Sequence, residues 1–95
     1  MPKGYIIGHV TVHDPEAYKE YVRLDTPLFE SFGGRFLVRG GDSETPEGAT
    51  QERHVVIEFP DFEAAKRAYN DPAYQIVAEI RRKTADSTII LVEGV

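Results

Sequence analysis

Apolar positions recur along this chain with two different periods, and the switches between them mark its elements. Residues 4–12, GYIIGHVTV, are rich in β-branched and aromatic side chains and predict a first strand. Asp14-Pro15-Glu16 then forms a helix start. The Asp14 carboxylate can accept backbone N–H groups that lack a helical partner, Pro15 suits the first helical position, and Glu16 favours the positive helix end. Tyr18, Tyr21, Val22, Leu28, Phe29 and Phe32 follow at spacings of three, four and seven, which is one face of a helix. Pro27 is expected to kink or split that helix, because proline removes a hydrogen bond and crowds the preceding turn. Gly33-Gly34 supplies the stop.

Residues 35–39 (RFLVR), 53–59 (RHVVIEF) and 87–93 (STIILVE) predict strands two, three and four. The polar stretch 40–52 between strands two and three reads as a loop. Pro60-Asp61 opens a second helix with Phe62, Ala65 and Tyr69 on one face. Asp71-Pro72 restarts it at a new angle, with the stripe Ala73, Ile76, Val77 and Ile80. The order β-α-β-β-α-β is the ferredoxin-like α+β pattern, a four-stranded antiparallel sheet with helices on one face.

Side chains alternate across a strand. The purely apolar sets should pack under the helices. The opposite, mixed set is Tyr5, Ile7, His9, Thr11, Arg35, Leu37, Arg39, His54, Val56 and Glu58. Strand four is apolar on both faces, with Ile89 and Leu91 on one and Ile90 and Val92 on the other. A strand of that kind is normally covered on both sides, and one helix layer covers only one. A second copy of the chain packed sheet to sheet would cover the other, so a homodimer is expected.

Length and composition narrow the choice of function. At 95 residues the chain is one domain, residues 1–95. A net charge of -5 argues against nucleic acid and anionic membrane as partners, since both need a local excess of Lys and Arg. The acidity is concentrated in the loop at Asp42, Glu44, Glu47 and Glu52. The absence of cysteine excludes disulfides, thiolate metal sites and thiol catalysis. The N-terminal apolar stretch is too short for a signal peptide or a membrane span, which points to a cytoplasmic protein.

The segments DPEAYKEYV (14–22), GGRFLVRGG (33–41), RHVVIEFPDFEAAKRAY (53–69), DPAYQ (71–75) and DSTIILVEGV (86–95) together resemble the domain-of-unknown-function family numbered 1330. The resemblance covers nearly the whole chain. It implies membership of the dimeric α/β-barrel superfamily, in which two ferredoxin-like sheets close around an internal cavity, and it implies no particular reaction. Fold relatives include cofactor-free monooxygenases and isomerases. The chain has no Trp, which argues against a Trp-dependent monooxygenase site. It has no His in a predicted helix, which argues against the haem-degrading branch.

The candidate chemistry lies on the mixed face. Arg39, followed by Gly40-Gly41, could hold a carboxylate in a two-pronged pair or could simply pair with Glu58. Glu58 could be a desolvated general acid or base, or the inert half of that ion pair. His9, at mid-strand, is the best single candidate for proton transfer near neutral pH, with a hydrogen-bonded structural role as its alternative. Tyr5, His54 and Gly40 complete a possible substrate surface. Asp25 falls seven residues after Tyr18 on the apolar helix face and is expected to turn to solvent, with the cavity rim as its other place. Arg81-Arg82-Lys83 reads as a solvated helix surface, and Tyr74 lies off its helix stripe. His9, His54, Glu58 and Asp25 show no compact ligand spacing, so no metal is expected, and no cofactor motif is present. Two functions fit: a small enzyme acting on an organic acid or aromatic compound by cofactor-free acid–base chemistry, and a non-catalytic ligand-binding or structural dimer.

Overall fold

The computed structural model describes residues 2–95. Its elements are β1 (Gly4–Val12), α1 (Pro15–Ser31), β2 (Arg35–Arg39), β3 (Arg53–Phe59), α2 (Phe62–Asn70), α3 (Pro72–Thr84) and β4 (Ala85–Glu93). The four strands form one antiparallel sheet in the order β2-β3-β1-β4, the ferredoxin-like α+β arrangement.

The helices start where the sequence predicts, each capped by an aspartate. The Asp14 carboxylate accepts from the Ala17 N–H, Asp61 from Ala64, and Asp71 from Tyr74. Asp71 both ends α2 and caps α3, so the two helices meet at a single residue. Three details differ from the sequence reading. First, α1 runs unbroken through Pro27. Second, the α3 stripe is rotated: Tyr74, Ala78 and Arg81 point inward, while Ile76 is 74% exposed. The reason is aromatic packing, since Tyr74 stacks on Phe29 at 4.5 Å and buries far more surface than Ile76 could from its position. Third, α3 passes directly into β4, which begins at Ala85 rather than Ser87.

The register sorts the two sheet faces. Ile6, Gly8 and Val10 of β1 face the helices beside Val55 and Ile57 of β3 and Ile89 and Leu91 of β4. With Tyr18, Tyr21, Phe29, Phe59, Tyr74 and the small side chains of α2 they make the core. On the open face an apolar row crosses all four strands: Val38 opposite Val56, Val56 opposite Ile7, and Ile7 opposite Ile90. Val38 and Ile90 are both exposed.

β2 carries the irregularity that matters most. Arg35 pairs with Glu58 and Phe36 with Ile57, as alternation requires. The register then slips, so that Val38 stands opposite Val56 and Arg39 opposite Val55. Leu37 is the extra residue of a β-bulge, and a bulge of one residue reverses the side of everything after it. Val38 therefore joins the open face and Arg39 the helix face, the reverse of strict alternation.

Candidate functional site

A cavity lies between α1, α3 and the helix face of the sheet. Its volume is about 40 Å³, and since one water needs roughly 10–15 Å³ it has room for about three. Gly8 forms part of its floor, and an added Cβ there would meet only Ile89 and Val55 at 3.4 and 3.9 Å. The missing side chain in mid-sheet is thus one reason the space exists. Aromatic rings of Tyr18, Tyr21, Phe29, Phe36 and Tyr74 wall it.

Four charged side chains reach it: Asp25 from α1, Arg39 from β2, Arg53 from β3 and Arg81 from α3. Asp25 is 6% exposed, which corrects the expectation that it turns to solvent. The continuous α1 keeps it in phase with Tyr18, Tyr21 and Phe29, where a split helix would have released it. Burial pushes its carboxyl up to about 6, with the Thr26 hydroxyl and the Arg39 guanidinium opposing the rise. Among the described residues no cation lies within ion-pair distance of it, and it accepts a hydrogen bond from Thr26 Oγ1 at 3.2 Å.

Arg39 reaches the same region through the bulge. Its Nη2 donates to Thr26 Oγ1 at 3.1 Å, and its guanidinium lies 3.4 Å above the Phe36 ring. The Arg39–Glu58 pair, one of the two alternatives for Arg39, does not form, because the two residues lie on opposite faces of the sheet. Glu58 takes Arg35 instead, at 3.1 Å, and accepts from the Tyr5 hydroxyl, also at 3.1 Å.

Arg81 is 4% exposed, which corrects its reading as solvated surface. The rotated phase of α3 carries it inward with Tyr74 and Ala78. Its Nη1 donates to Ser87 Oγ at 2.7 Å, whereas Nε and Nη2 have no acceptor among the described residues. Arg53 Nε is likewise buried without one. Gly40, at φ +67, is what admits the Arg53 guanidinium: a Cβ there would collide with it. Tyr21 and Tyr74 share a buried hydroxyl–hydroxyl bond of 2.8 Å. Burial pushes both phenols up, Tyr21 strongly, so they remain neutral hydrogen-bonding groups near neutral pH.

The residues singled out in the sequence therefore divide. Asp25 and Arg39 meet in the cavity, with Gly40 against Arg53 at its edge. Tyr5, His9, His54 and Glu58 lie on the open face. There His9 Nδ1 and His54 Nδ1 are 2.8 Å apart, so one ring donates and the other accepts, while Tyr5, Glu58 and Arg35 satisfy one another. Arg53 and Arg81 join Asp25 and Arg39 in the cavity, and the sequence carries a signal for each. Arg53 shares strand parity with Val55, Ile57 and Phe59, and Arg81 follows Tyr74 and Ala78 at helical spacing. Among the described residues no group of three or more His, Asp or Glu side chains could hold a metal ion, and no helix is long and apolar enough to cross a membrane.

A family model for the domain of unknown function DUF1330 matches residues 3–95. The chain belongs to that family. No curated protein matches this DUF1330 chain significantly. Similar solved structures share its fold. A protein of unknown function from Rhodopseudomonas palustris, RPA0582, is 22% identical over 99% of this chain and 83% of its own, with a TM-score of 0.77. SnoaB, a cofactor-independent oxygenase from Streptomyces nogalater, is 19% identical over 97% of this chain and 92% of its own, at 0.67. A dimeric ferredoxin-like protein of unknown function from Thermobifida fusca is 11% identical over 97% and 91%, at 0.64.

Proposed function

We propose that this protein acts on a small organic acid or aromatic compound by cofactor-free acid–base chemistry, in the cavity between α1, α3 and the sheet. The observation that carries the reading is Asp25: a buried carboxyl with no ion-pair partner among the described residues, beside an aromatic-walled cavity, pushed up to about 6 by that burial. A group that titrates close to the working pH can both take and give a proton. SnoaB, a protein of similar fold, is described as a cofactor-independent oxygenase, which supports a reading without a cofactor.

The protein is further proposed to be a homodimer through the open face of the sheet. The row Val38–Val56–Ile7–Ile90 is a covering surface without a cover, and the Thermobifida fusca relative by fold is described as dimeric. The paired groups on that face, His9 with His54 and Glu58 with Arg35 and Tyr5, suit an interface. Light scattering should give a mass near twice 10.7 kDa, and a stable monomer at micromolar concentration would defeat the dimer.

Proton exchange tests the chemistry. Proton NMR in D2O follows the loss of the exchangeable methyl signal of pyruvate, an acid small enough for the cavity. Acceleration over buffer is expected, falling by about a hundredfold or more in Asp25→Asn. No acceleration, or an Asp25→Asn protein as active as the parent, removes the acid–base reading.

A further inference from the structure

The cavity holds three guanidiniums and one carboxyl in a chain whose net charge is -5. Two of those guanidiniums keep N–H groups in reserve. Arg81, 4% exposed, spends only Nη1, on Ser87, and leaves Nε and Nη2 buried without an acceptor among the described residues, while Arg53 leaves its Nε so. Buried donors of a charged group are costly to leave unmade, and an arginine is not relieved by losing its proton.

The scaffold nevertheless holds both heads in place. The Arg53 guanidinium carbon lies 5.8 Å from the centre of the Tyr18 ring, the Arg81 carbon 5.8 Å from that of Tyr21, and the two rings are 5.4 Å apart. Ring faces hold a guanidinium through its plane and leave its N–H edge free. Gly40 gives Arg53 its room, and Ser87 pins one end of Arg81. The two residues come from different layers, one from β3 and one from α3, and converge on the cavity that Gly8 opens.

We propose that this cavity is an anion site, in which the carboxylate of a small organic acid is bound by the free N–H edges of Arg53 and Arg81. The proposal rests on the cavity being the working site, as above, and narrows its ligand from any small organic compound to an acid. Arg53 and Arg81 are the binding residues, Arg39 adds positive charge at the Thr26 side, and Asp25 is left for the part of the ligand beyond the carboxylate. A planar carboxylate has two oxygens to offer, which suits donors on two separate side chains as well as it suits one fork.

Sodium propionate is the probe, with propionamide as its uncharged isostere and sodium chloride at equal ionic strength as control. Amide and tyrosine NMR shifts of the full chain report binding. Propionate is expected to shift the Gly8, Tyr21 and Tyr74 signals in a saturable way, with propionamide and chloride leaving them unmoved. Arg81→Met and Arg53→Met should each weaken propionate by about tenfold or more, the cost of a charge-assisted hydrogen bond. Should Arg81→Met not fold, Arg53→Met, at the strand start and only half-buried, decides alone. Equal binding of propionamide, a chloride effect matching that of propionate, or unaltered affinity in Arg53→Met overturns the site. Asp25→Asn separates the two readings. If it binds propionate but has lost proton exchange, both stand. If the parent binds propionate yet accelerates no exchange, the acid–base reading falls and the anion site remains. Exchange without propionate binding removes the anion site alone.

Discussion

Arg39 stands opposite Val55 across the β2–β3 ladder, and that pairing puts its guanidinium on the helix side of the sheet, where it donates to Thr26 beside Asp25. Without the bulge at Leu37 it would have stood opposite His54 on the open face. One inserted residue thus moves a positive charge from one face to the other, and into the field of a buried carboxyl.

The Arg39 charge should be measurable at Asp25. The guanidinium opposes the rise caused by burial, so removing it lets the carboxyl climb further. In Arg39→Ala the Asp25 titration midpoint, followed by carboxyl carbon-13 NMR, should move above its value of about 6. A midpoint that stays or falls would show that Arg39 has no hold on the carboxyl.

Asp25 should make stability fall as pH rises. Its carboxyl moves from the ordinary 3.8 to about 6 in the fold, so the folded chain binds the proton more tightly than the unfolded one. The stabilising contribution is complete below 3.8 and disappears as pH climbs through about 6. Asp25→Asn carries no such charge. Urea unfolding should find it more stable than the parent by up to about 3 kcal/mol near pH 8, with the gap closing near pH 4. A gap that widens toward acid would contradict the buried, unpaired carboxyl.

The Tyr21–Tyr74 hydroxyl pair should behave as a unit. Removing one hydroxyl strands the other in the core, at a cost of about 1–3 kcal/mol. Tyr21→Phe and Tyr74→Phe should each show that loss in urea unfolding, and the double variant should lose clearly less than the two together. Additive losses would mean that the two hydroxyls do not depend on each other.

Gly8 should be replaceable structurally but not functionally. A Cβ at Gly8 finds ordinary contacts with Ile89 and Val55, and a β-branched residue suits mid-strand. Gly8→Val should change stability by less than about 2 kcal/mol, yet fill the cavity and weaken propionate at least tenfold or so. Unaltered propionate shifts in this variant would place the binding elsewhere.

The element order, the Asp14 and Asp61 caps, the loop 40–52 and the Ile7, Val56 and Ile90 part of the apolar row could all be read from the chain itself, whereas Val38 joins that row only through the bulge. They depend on interactions a few residues long, or on a period of two or 3.6 that needs no knowledge of neighbours. Arg53 was legible in the same way, by its parity with Val55 and Ile57. The tertiary structure alone decided the side of Arg39, the burial of Asp25 and the phase of α3. The bulge at Leu37 is a matter of how β2 docks on β3, and no residue of RFLVR announces it. Asp25 stays inward because packing of the rings around it keeps α1 whole across Pro27. Arg81 turns inward because Tyr74 gains more by stacking on Phe29 than Ile76 loses in water. In each case a non-local packing gain outweighs a local preference, and those three decisions together assemble the charged cavity.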